Sequence, residues 1–153
     1  MTNHGERAVQ MIVQEINLFK GLDFGVIKQI AEICEDGAFM KGKVLFKKDM
    51  KADTLYILQR GCVNLVIDET PGMVYSLAQP GEVIGWSSMV EGGVYTASAV
   101  CESDSQLFRI DRDKLNRIFN KHPEFGLAVL RRIGSVFANR LTNAYEQVRQ
   151  AKA

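Results

Sequence analysis

The sequence predicts a mainly β domain flanked by helices, with a long helix in its C-terminal part. Between Ala38 and Ile110, short runs of β-branched and aromatic residues alternate with turn residues, a pattern typical of all-β sandwiches and barrels. On both sides of that region, apolar residues recur at helical spacing. The 153 residues suffice for one domain with a single hydrophobic core.

We therefore expect one domain with helices before and after a β-roll. Residues from Arg7 to Ile16 have one apolar face and predict the first helix. Gly21 interrupts the helical pattern, and Asp23 suits the N-cap of a second helix that runs to about Cys34. The expected N-terminal helices, β-roll and C-terminal helices occupy residues 1–35, 36–110 and 111–153.

The strand pattern is clearest between Thr54 and Ile67. Leu55 and Ile57 fall on one face at period two, and Gly61 supplies a tight reversal into the next strand. A turn and three further strands are predicted at Glu69–Gly72, Met73–Leu77, Tyr95–Cys101 and Gln106–Ile110.

Two helices are predicted after the β-rich region. Asp111 can cap a short helix, and Pro123 fits the first turn of a longer helix that reaches toward Gln150. Small and apolar residues on the longer helix keep spacings of four and three, which indicates a heptad seam. Its residues are Leu130, Gly134, Phe137, Leu141, Ala144 and Val148. The seam favours a homodimer, and the alternative is that this helix packs back on its own β-roll.

Composition narrows the classes of partner and the cellular compartment. A formal charge of +1 gives no electrostatic reason to expect binding to nucleic acid or to a membrane. The polar N-terminus lacks the apolar core of a signal peptide, and no stretch reaches the ~18 apolar residues of a membrane helix. Cys34, Cys62 and Cys101 are odd in number and far apart, which indicates free thiols in a reducing cytoplasm.

Motifs for enzyme chemistry are absent from the sequence. There is no GxSxG, HExxH or P-loop, so we expect no catalytic activity. His4 and His122 are isolated, and His122 precedes Pro123 at a helix boundary, where a surface residue is the simpler interpretation. We expect neither a metal nor a resident cofactor.

Three segments carry a resemblance to a known family: Leu18–Leu22 (LFKGL), Asp53–Val63 (DTLYILQRGCV) and Pro80–Gly85 (PGEVIG). Together they make the chain, from about Ile16 to Gln150, similar to the cyclic-nucleotide-binding domain family. That family supplies the sensor module of catabolite activators, protein-kinase regulatory subunits and gated channels. The resemblance implies an eight-stranded jelly roll (a double-stranded β-helix), a short helix in a phosphate-binding cassette and a long C-terminal hinge helix.

The resemblance also implies a ligand site in the cassette, which we define as residues 81–100. A short helix after Gly85 would direct free backbone N–H groups at a ligand, with Ser87 and Ser88 as further donors. The candidate ligand-binding residues are Gly85, Trp86, Ser87, Ser88, Tyr95, Thr96, Ala97 and Ser98.

Two departures from the family pattern change the expected ligand. Trp86 stands where the family has a Glu for the ribose, and Thr96 stands where it has an Arg for the cyclic phosphate. Losing both charged contacts weakens binding by ~100-fold or more, so we expect little affinity for cyclic AMP or cyclic GMP. The cassette has no Lys or Arg, which favours a neutral or weakly anionic ligand. A phosphorylated one would need a cation from elsewhere, such as Arg140 or Lys43.

Two functions remain open at this stage. In the first, the chain is a non-enzymatic, small-molecule-sensing regulatory module that passes a signal through its C-terminal helix to a partner protein. The sequence ends where transcription-factor relatives begin their helix-turn-helix domain, so we expect no direct binding to DNA. In the second, Trp86 fills the pocket and the chain is a ligand-free structural or interaction module.

Overall fold

The computed structural model describes residues 4–67 and 74–152, with His4 and Val74 described by their backbone alone. Within those residues the helices are α1 (His4–Glu15), α2 (Phe24–Ile33), α3 (Arg112–Lys121) and α4 (Pro123–Lys152). The strands are β1 (Cys34–Phe39), β2 (Val44–Phe46), β3 (Thr54–Arg60), β4 (Val63–Val66), β5 (Val74–Leu77), β6 (Val83–Ile84), β7 (Ser98–Cys101) and β8 (Ser105–Asp111). A 3-10 helix spans Trp86–Met89. The predicted turn Glu69–Gly72 and residue Met73 lie outside the described residues.

The strands form two four-stranded antiparallel sheets. One has the order β1-β8-β3-β6 and the other the order β2-β7-β4-β5. Apart from β4 and β5, neighbouring strands in each sheet are not consecutive in sequence, so the chain crosses repeatedly between the sheets. This arrangement, with α1 and α2 before it and α3 and α4 after it, confirms the predicted mainly β fold with flanking helices and a long C-terminal helix.

The β-roll begins at Cys34, earlier than the predicted residue 36. The first strand contains Glu35, Asp36 and Gly37, which have low β-propensity, so the local sequence gave no strand signal. Pairing with β8 overrides that propensity, because Cys34 lies opposite Ile110 and Phe39 opposite Ser105.

Two hydrophobic clusters hold the fold together. One lies between the two sheets and includes Phe46, Tyr56 and Leu58. The other lies between the helices and the outer face of the first sheet, and includes Leu55 and Ile57. Successive residues of β3 therefore alternate between the clusters, as side chains on opposite faces of a strand must. The prediction that Leu55 and Ile57 share one face is confirmed.

The reversal between β3 and β4 requires a glycine at position 61. Gly61 has a φ of +109°, which L-residues rarely adopt. A Cβ at this position would lie 2.3 Å from the Oγ atom of Ser105. The tight turn predicted here is confirmed.

Helix caps follow the predicted pattern. The Asp23 side chain accepts a hydrogen bond of 3.1 Å from the backbone N–H of Gly25 at the start of α2. The Asp111 side chain accepts one of 3.0 Å from the N–H of Lys114 at the start of α3. Each carboxylate satisfies a backbone donor that has no partner inside the helix.

Candidate functional site

Gly85 sets the direction in which the cassette leaves β6. Its φ is +89°, and a Cβ there would lie 2.9 Å from the backbone oxygen of Thr54. The 3-10 helix follows at once, and the N–H of Ser88 donates to the carbonyl of Gly85 at 3.0 Å. The short helix expected after Gly85 is therefore present.

Trp86, the first residue of that helix, points into the helical core. Its side chain is 5% exposed and belongs to the cluster that includes Leu18 and Val83. The indole meets the ring of Phe137 from α4 edge-on, with centroids 6.1 Å apart. Its Nε1 atom is buried and has no hydrogen-bond partner among the described residues. Trp86 thus joins the cassette to α4 through an aromatic contact.

The two serines of the 3-10 helix differ in their surroundings. Ser88 is fully buried, and its Oγ atom has no hydrogen-bond partner within residues 4–67 and 74–152. Ser87 is half-buried, and its carbonyl accepts a hydrogen bond of 3.2 Å from the N–H of Val90. An unsatisfied buried donor costs about 1–3 kcal/mol. Trp86 and Ser88 therefore each have a donor group whose pairing would stabilise the site.

In the second half of the cassette, some side chains are buried in the core and others lie at the surface. Tyr95 stacks on Phe46 with centroids 3.7 Å apart, and its hydroxyl donates to the carbonyl of Thr54 at 2.8 Å. Burial raises the pKa of the Tyr95 phenol, so it stays protonated near neutrality. Thr96 is exposed and Ala97 is buried, whereas the Oγ of Ser98 accepts a hydrogen bond of 3.0 Å from the N–H of Lys48.

A cleft of about 510 Å³ lies between α4 and the β-roll, and we call it the α4 cleft. Of the eight candidate ligand residues, Trp86 alone lines it. Its lining residues are Asn17, Leu18, Tyr75, Gln79, Pro80, Gly81, Glu82, Val83, Trp86, Arg132, Ser135, Val136, Asn139, Arg140 and Asn143. The cleft therefore combines apolar walls with amide, hydroxyl and charged groups, as small-molecule sites do.

Arg140 brings a cation into the α4 cleft. Its guanidinium lies over the ring of Tyr75, 5.1 Å from the centroid. Burial lowers the pKa of Arg140 from its usual value, while the neighbouring Tyr75 and Glu82 act in the opposite direction. Desolvation of this kind strengthens the attraction of a guanidinium for an anion.

The other arginine in the cleft is already occupied. The Nη1 atom of Arg132 donates to the carbonyl of Leu18 at 2.9 Å and to that of Asn17 at 3.4 Å. These carbonyls follow the end of α1, so Arg132 fastens α4 to the N-terminal segment. Its charge is directed at the protein rather than at the open part of the cleft.

The contribution of α4 to the site is larger than the sequence predicts. Arg140 is expected there only as a source of charge from elsewhere, and Ser135, Asn139 and Asn143 are not among the predicted site residues. Together with Arg132, these polar residues recur three or four positions apart, which places them on one side of a helix. That periodicity is the sequence signal that could have identified these site residues. The interpretation of α4 followed the heptad seam on the same helix instead.

The heptad seam on α4 lies on the outer side of the helix. Val129 and Ile133 are buried against the domain, whereas Leu130, Leu141 and Val148 are exposed. Phe137 is 38% exposed, and its ring contacts Trp86. The other seam residues, Gly134 and Ala144, are also exposed. Apart from the contact between Phe137 and Trp86, the seam is therefore an exposed apolar stripe among the described residues.

Neither a metal site nor a membrane span is found in the part of the chain that the structure describes. Among the described residues, no group of three or more His, Cys, Asp and Glu side chains is arranged to hold a metal ion. None of the helices in residues 4–67 and 74–152 has both the length and the apolar composition needed to cross a membrane.

Comparison with known proteins gives consistent matches. The family model of the cyclic nucleotide-binding domain matches residues 37–122. Isozyme 2 of the cGMP-dependent protein kinase of Drosophila melanogaster is 21% identical over 117 residues, which cover 73% of this chain and 12% of the kinase. The chain thus corresponds to a small part of that relative.

Two solved structures are similar over most of their length. A Geobacter metallireducens protein named for cyclic nucleotide binding is 28% identical, with a TM-score of 0.75, and the match covers 92% of this chain and 99% of that one. The sensor domain of the transcriptional regulator DNR from Pseudomonas aeruginosa is 22% identical, with a TM-score of 0.72 and coverages of 90% and 93%. The latter likeness is one of fold.

Proposed function

Because the chain belongs to the cyclic nucleotide-binding domain family, we propose that it is a non-enzymatic regulatory module that senses a small molecule in the α4 cleft. The single observation that carries this proposal is the position of Arg140. A desolvated guanidinium lies in a concave site between α4 and the β-roll, in the same cleft as the buried Trp86.

The ligand expected from these groups is a small organic molecule with one acidic group. Arg140 would hold the acid, while Trp86 and Tyr75 would supply apolar and aromatic surface. Glu82 lies in the same cleft and balances the charge of Arg140. A multiply phosphorylated ligand would therefore meet a site with no net positive charge from this pair.

The residues of the cassette favour a ligand other than a cyclic nucleotide bound in the usual way. Trp86 is buried and Thr96 is exposed, and neither provides the charge that the family places at these positions. We therefore expect weak binding of cyclic AMP and cyclic GMP. Of the remaining candidate residues, Gly85, Ser87 and Ser88 would act by shaping the 3-10 helix that begins at Trp86.

The signal would travel through α4. The ligand would contact Arg140 and Trp86, and Trp86 already contacts Phe137 in the exposed seam. A change in the cleft would thus alter the surface on which a second copy packs. We propose a cytoplasmic homodimer that passes the change to a partner protein, without binding DNA or a membrane directly. The chain acts as one domain in this scheme.

A second function is favoured by the burial of Trp86. At 5% exposure its side chain contributes to the helical core, and filling a pocket in this way is a structural role. Under this alternative the chain is a ligand-free structural or protein-interaction module. The two functions differ in whether the α4 cleft ever holds a ligand.

Native mass spectrometry of freshly purified full-length protein tests the proposal. We expect a dimer that carries additional mass in the range of a small organic acid, and this mass should be lost in Arg140→Gln. An Arg131→Gln variant is the matched control, because it removes the same charge from an exposed position of α4 outside the cleft, and it should retain the additional mass. A ligand-free dimer from which no mass is lost on denaturation would favour the structural alternative.

A further inference from the structure

A second concave surface lies on the N-terminal helices and shares no residue with the α4 cleft. It is a groove of about 420 Å³ between α1 and α2, and we call it the α1–α2 groove. Its lining residues are Arg7, Gln10, Met11, Gln14, Phe24 and Lys28. The proposed ligand-sensing function uses none of them.

Large apolar side chains lie open to water at this groove. Met11 is 64% exposed and Phe24 is 66% exposed, although both are on helices whose other faces reach the core. Apolar side chains grouped in this way indicate a surface that is covered in a complex.

A buried hydrogen-bond donor lies in the same groove. Gln10 is 8% exposed, and its Nε2 atom has no acceptor among the residues that the structure describes. Leaving such a donor unpaired costs about 1–3 kcal/mol, and a bound carbonyl or carboxylate would recover that loss. The donor is an observation independent of the exposed apolar residues.

The charges of the groove select an acidic partner. Arg7 and Lys28 line it and no carboxylate does. The ion pairs found in residues 4–67 and 74–152 join Arg109 to Glu35, Arg112 to Asp113 and Arg149 to Glu146, so neither groove cation is among them. The carboxylates of Glu6, Glu32 and Asp36 line a neighbouring cavity, which shares Gln10 and Lys28 with the groove.

We infer that the α1–α2 groove docks an acidic amphipathic segment of a partner protein. An apolar side chain of the segment packs on Met11 and Phe24, an acidic side chain pairs with Arg7 and Lys28, and an oxygen acceptor meets the Nε2 of Gln10. A second copy of this chain is a poor occupant, because a two-fold contact of the groove with itself would bring like charges together. The inference extends the proposed function by naming the surface and the chemistry of its protein partner.

Site-specific photo-crosslinking tests this inference in the full-length chain within its own host cells. Benzoylphenylalanine replaces Phe24, and the crosslinked peptides are sequenced by mass spectrometry. The same probe at Met40, which is 77% exposed and lies outside the groove, is the matched control. We expect segments rich in Asp and Glu, with crosslinking several-fold above that at Met40.

Charge reversal provides the second arm of the experiment. Arg7→Glu with Lys28→Glu should lower the Phe24 crosslinking by roughly tenfold, as two surface ion pairs are replaced by repulsion. Lys41→Glu with Lys47→Glu makes the same change of charge on the β-roll and should leave it unaltered. The inference would be overturned by crosslinks to a second copy of the chain or to segments without acidic residues. Crosslinking that does not depend on Arg7 and Lys28 would also overturn it. Ligand-induced stabilisation at the α4 cleft is measured separately, so either proposal can fail alone.

Discussion

The indole of Trp86 and the phenyl ring of Phe137 meet edge-on across the boundary between the cassette and α4, with centroids 6.1 Å apart. The indole belongs to the first residue of the cassette's 3-10 helix, and the phenyl ring belongs to the apolar seam of α4. In the proposed function, this contact links the α4 cleft to the surface that a second protomer would cover.

Removing Phe137 should loosen Trp86 and change its fluorescence. Phe137→Ala deletes the ring against which the indole packs, so we expect a red-shifted emission and a loss of about 1–2 kcal/mol of unfolding free energy. Leu127→Ala removes a similarly exposed side chain from α4 and should leave the emission unchanged. Since Trp86 is the single Trp, the spectrum reports this site alone. Identical spectra for the two variants would mean that the aromatic contact does not hold Trp86.

Replacing Gly85 should cost more than replacing Gly81. Both glycines have a φ of +89°, but a Cβ at Gly85 would lie 2.9 Å from the Thr54 oxygen, whereas a Cβ at Gly81 meets nothing within 4 Å. We therefore expect Gly85→Ala to be less stable than Gly81→Ala by roughly 1–2 kcal/mol in urea unfolding. Equal losses would show that backbone conformation, and not contact with β3, requires the glycine.

The exposed seam of α4 should mediate dimerisation. Leu141→Glu places a charge in the apolar stripe, which is costly unless the protomers separate. Light scattering should find a dimer for the wild type and a monomer for this variant. Thr142→Glu adds the same charge beside the stripe and should leave the dimer intact. A wild type that stays monomeric at high concentration would contradict the proposed interface.

Cyclic nucleotides should bind poorly. Neither Trp86 nor Thr96 carries a charge, and the family resemblance implies a Glu for the ribose and an Arg for the cyclic phosphate at these positions. Calorimetry with cyclic AMP and cyclic GMP should show little or no heat at micromolar concentrations. Sub-micromolar affinity for either compound would contradict this prediction.

Stability should fall at alkaline pH because buried acids ionise more readily in the unfolded chain. Burial raises the pKa of the Cys34 thiol from 9.0 to about 12 and that of the Tyr56 phenol from 10.0 to about 12. Each group ionises first in the unfolded state, so its contribution is intact below its unfolded pKa and declines as the pH rises toward 12. The expected slope is about 1.4 kcal/mol per pH unit for each group. Cys34→Ala should flatten the decline of the urea midpoint above pH 9, and an unchanged slope would exclude Cys34 as its source.

The sequence was informative where a local signal and the tertiary structure agree. Asp23 and Asp111 were predicted as caps from residue type and spacing, and both accept the expected backbone hydrogen bonds. Gly61 was predicted to reverse the chain, and its positive φ explains why. In contrast, β1 was partly missed because Glu35 and Asp36 enter the sheet only through pairing with β8.

The candidate site was harder to predict because it is formed by segments distant in sequence. Trp86 and Arg140 line one cleft, although more than fifty residues separate them. Local pattern placed Tyr95 and Ser98 in the ligand set, yet the Tyr95 hydroxyl bonds to Thr54 and the Ser98 Oγ to Lys48. Such assignments depend on which sheet each side chain faces, and residue spacing within the cassette does not determine that.

The most direct test of the ligand-sensing proposal is a thermal-shift screen of small metabolites on the wild type and on Arg140→Gln. A ligand present at a hundred times its dissociation constant adds about 2.7 kcal/mol of stability, which is several degrees in melting temperature for a domain of this size. We expect compounds with a single carboxylate or phosphate group to raise the melting temperature of the wild type and to change the fluorescence of Trp86. The same compounds should have little effect on Arg140→Gln. A ligand site built around Arg140 would be contradicted if the compounds stabilised both proteins to the same degree, or if no compound stabilised the wild type.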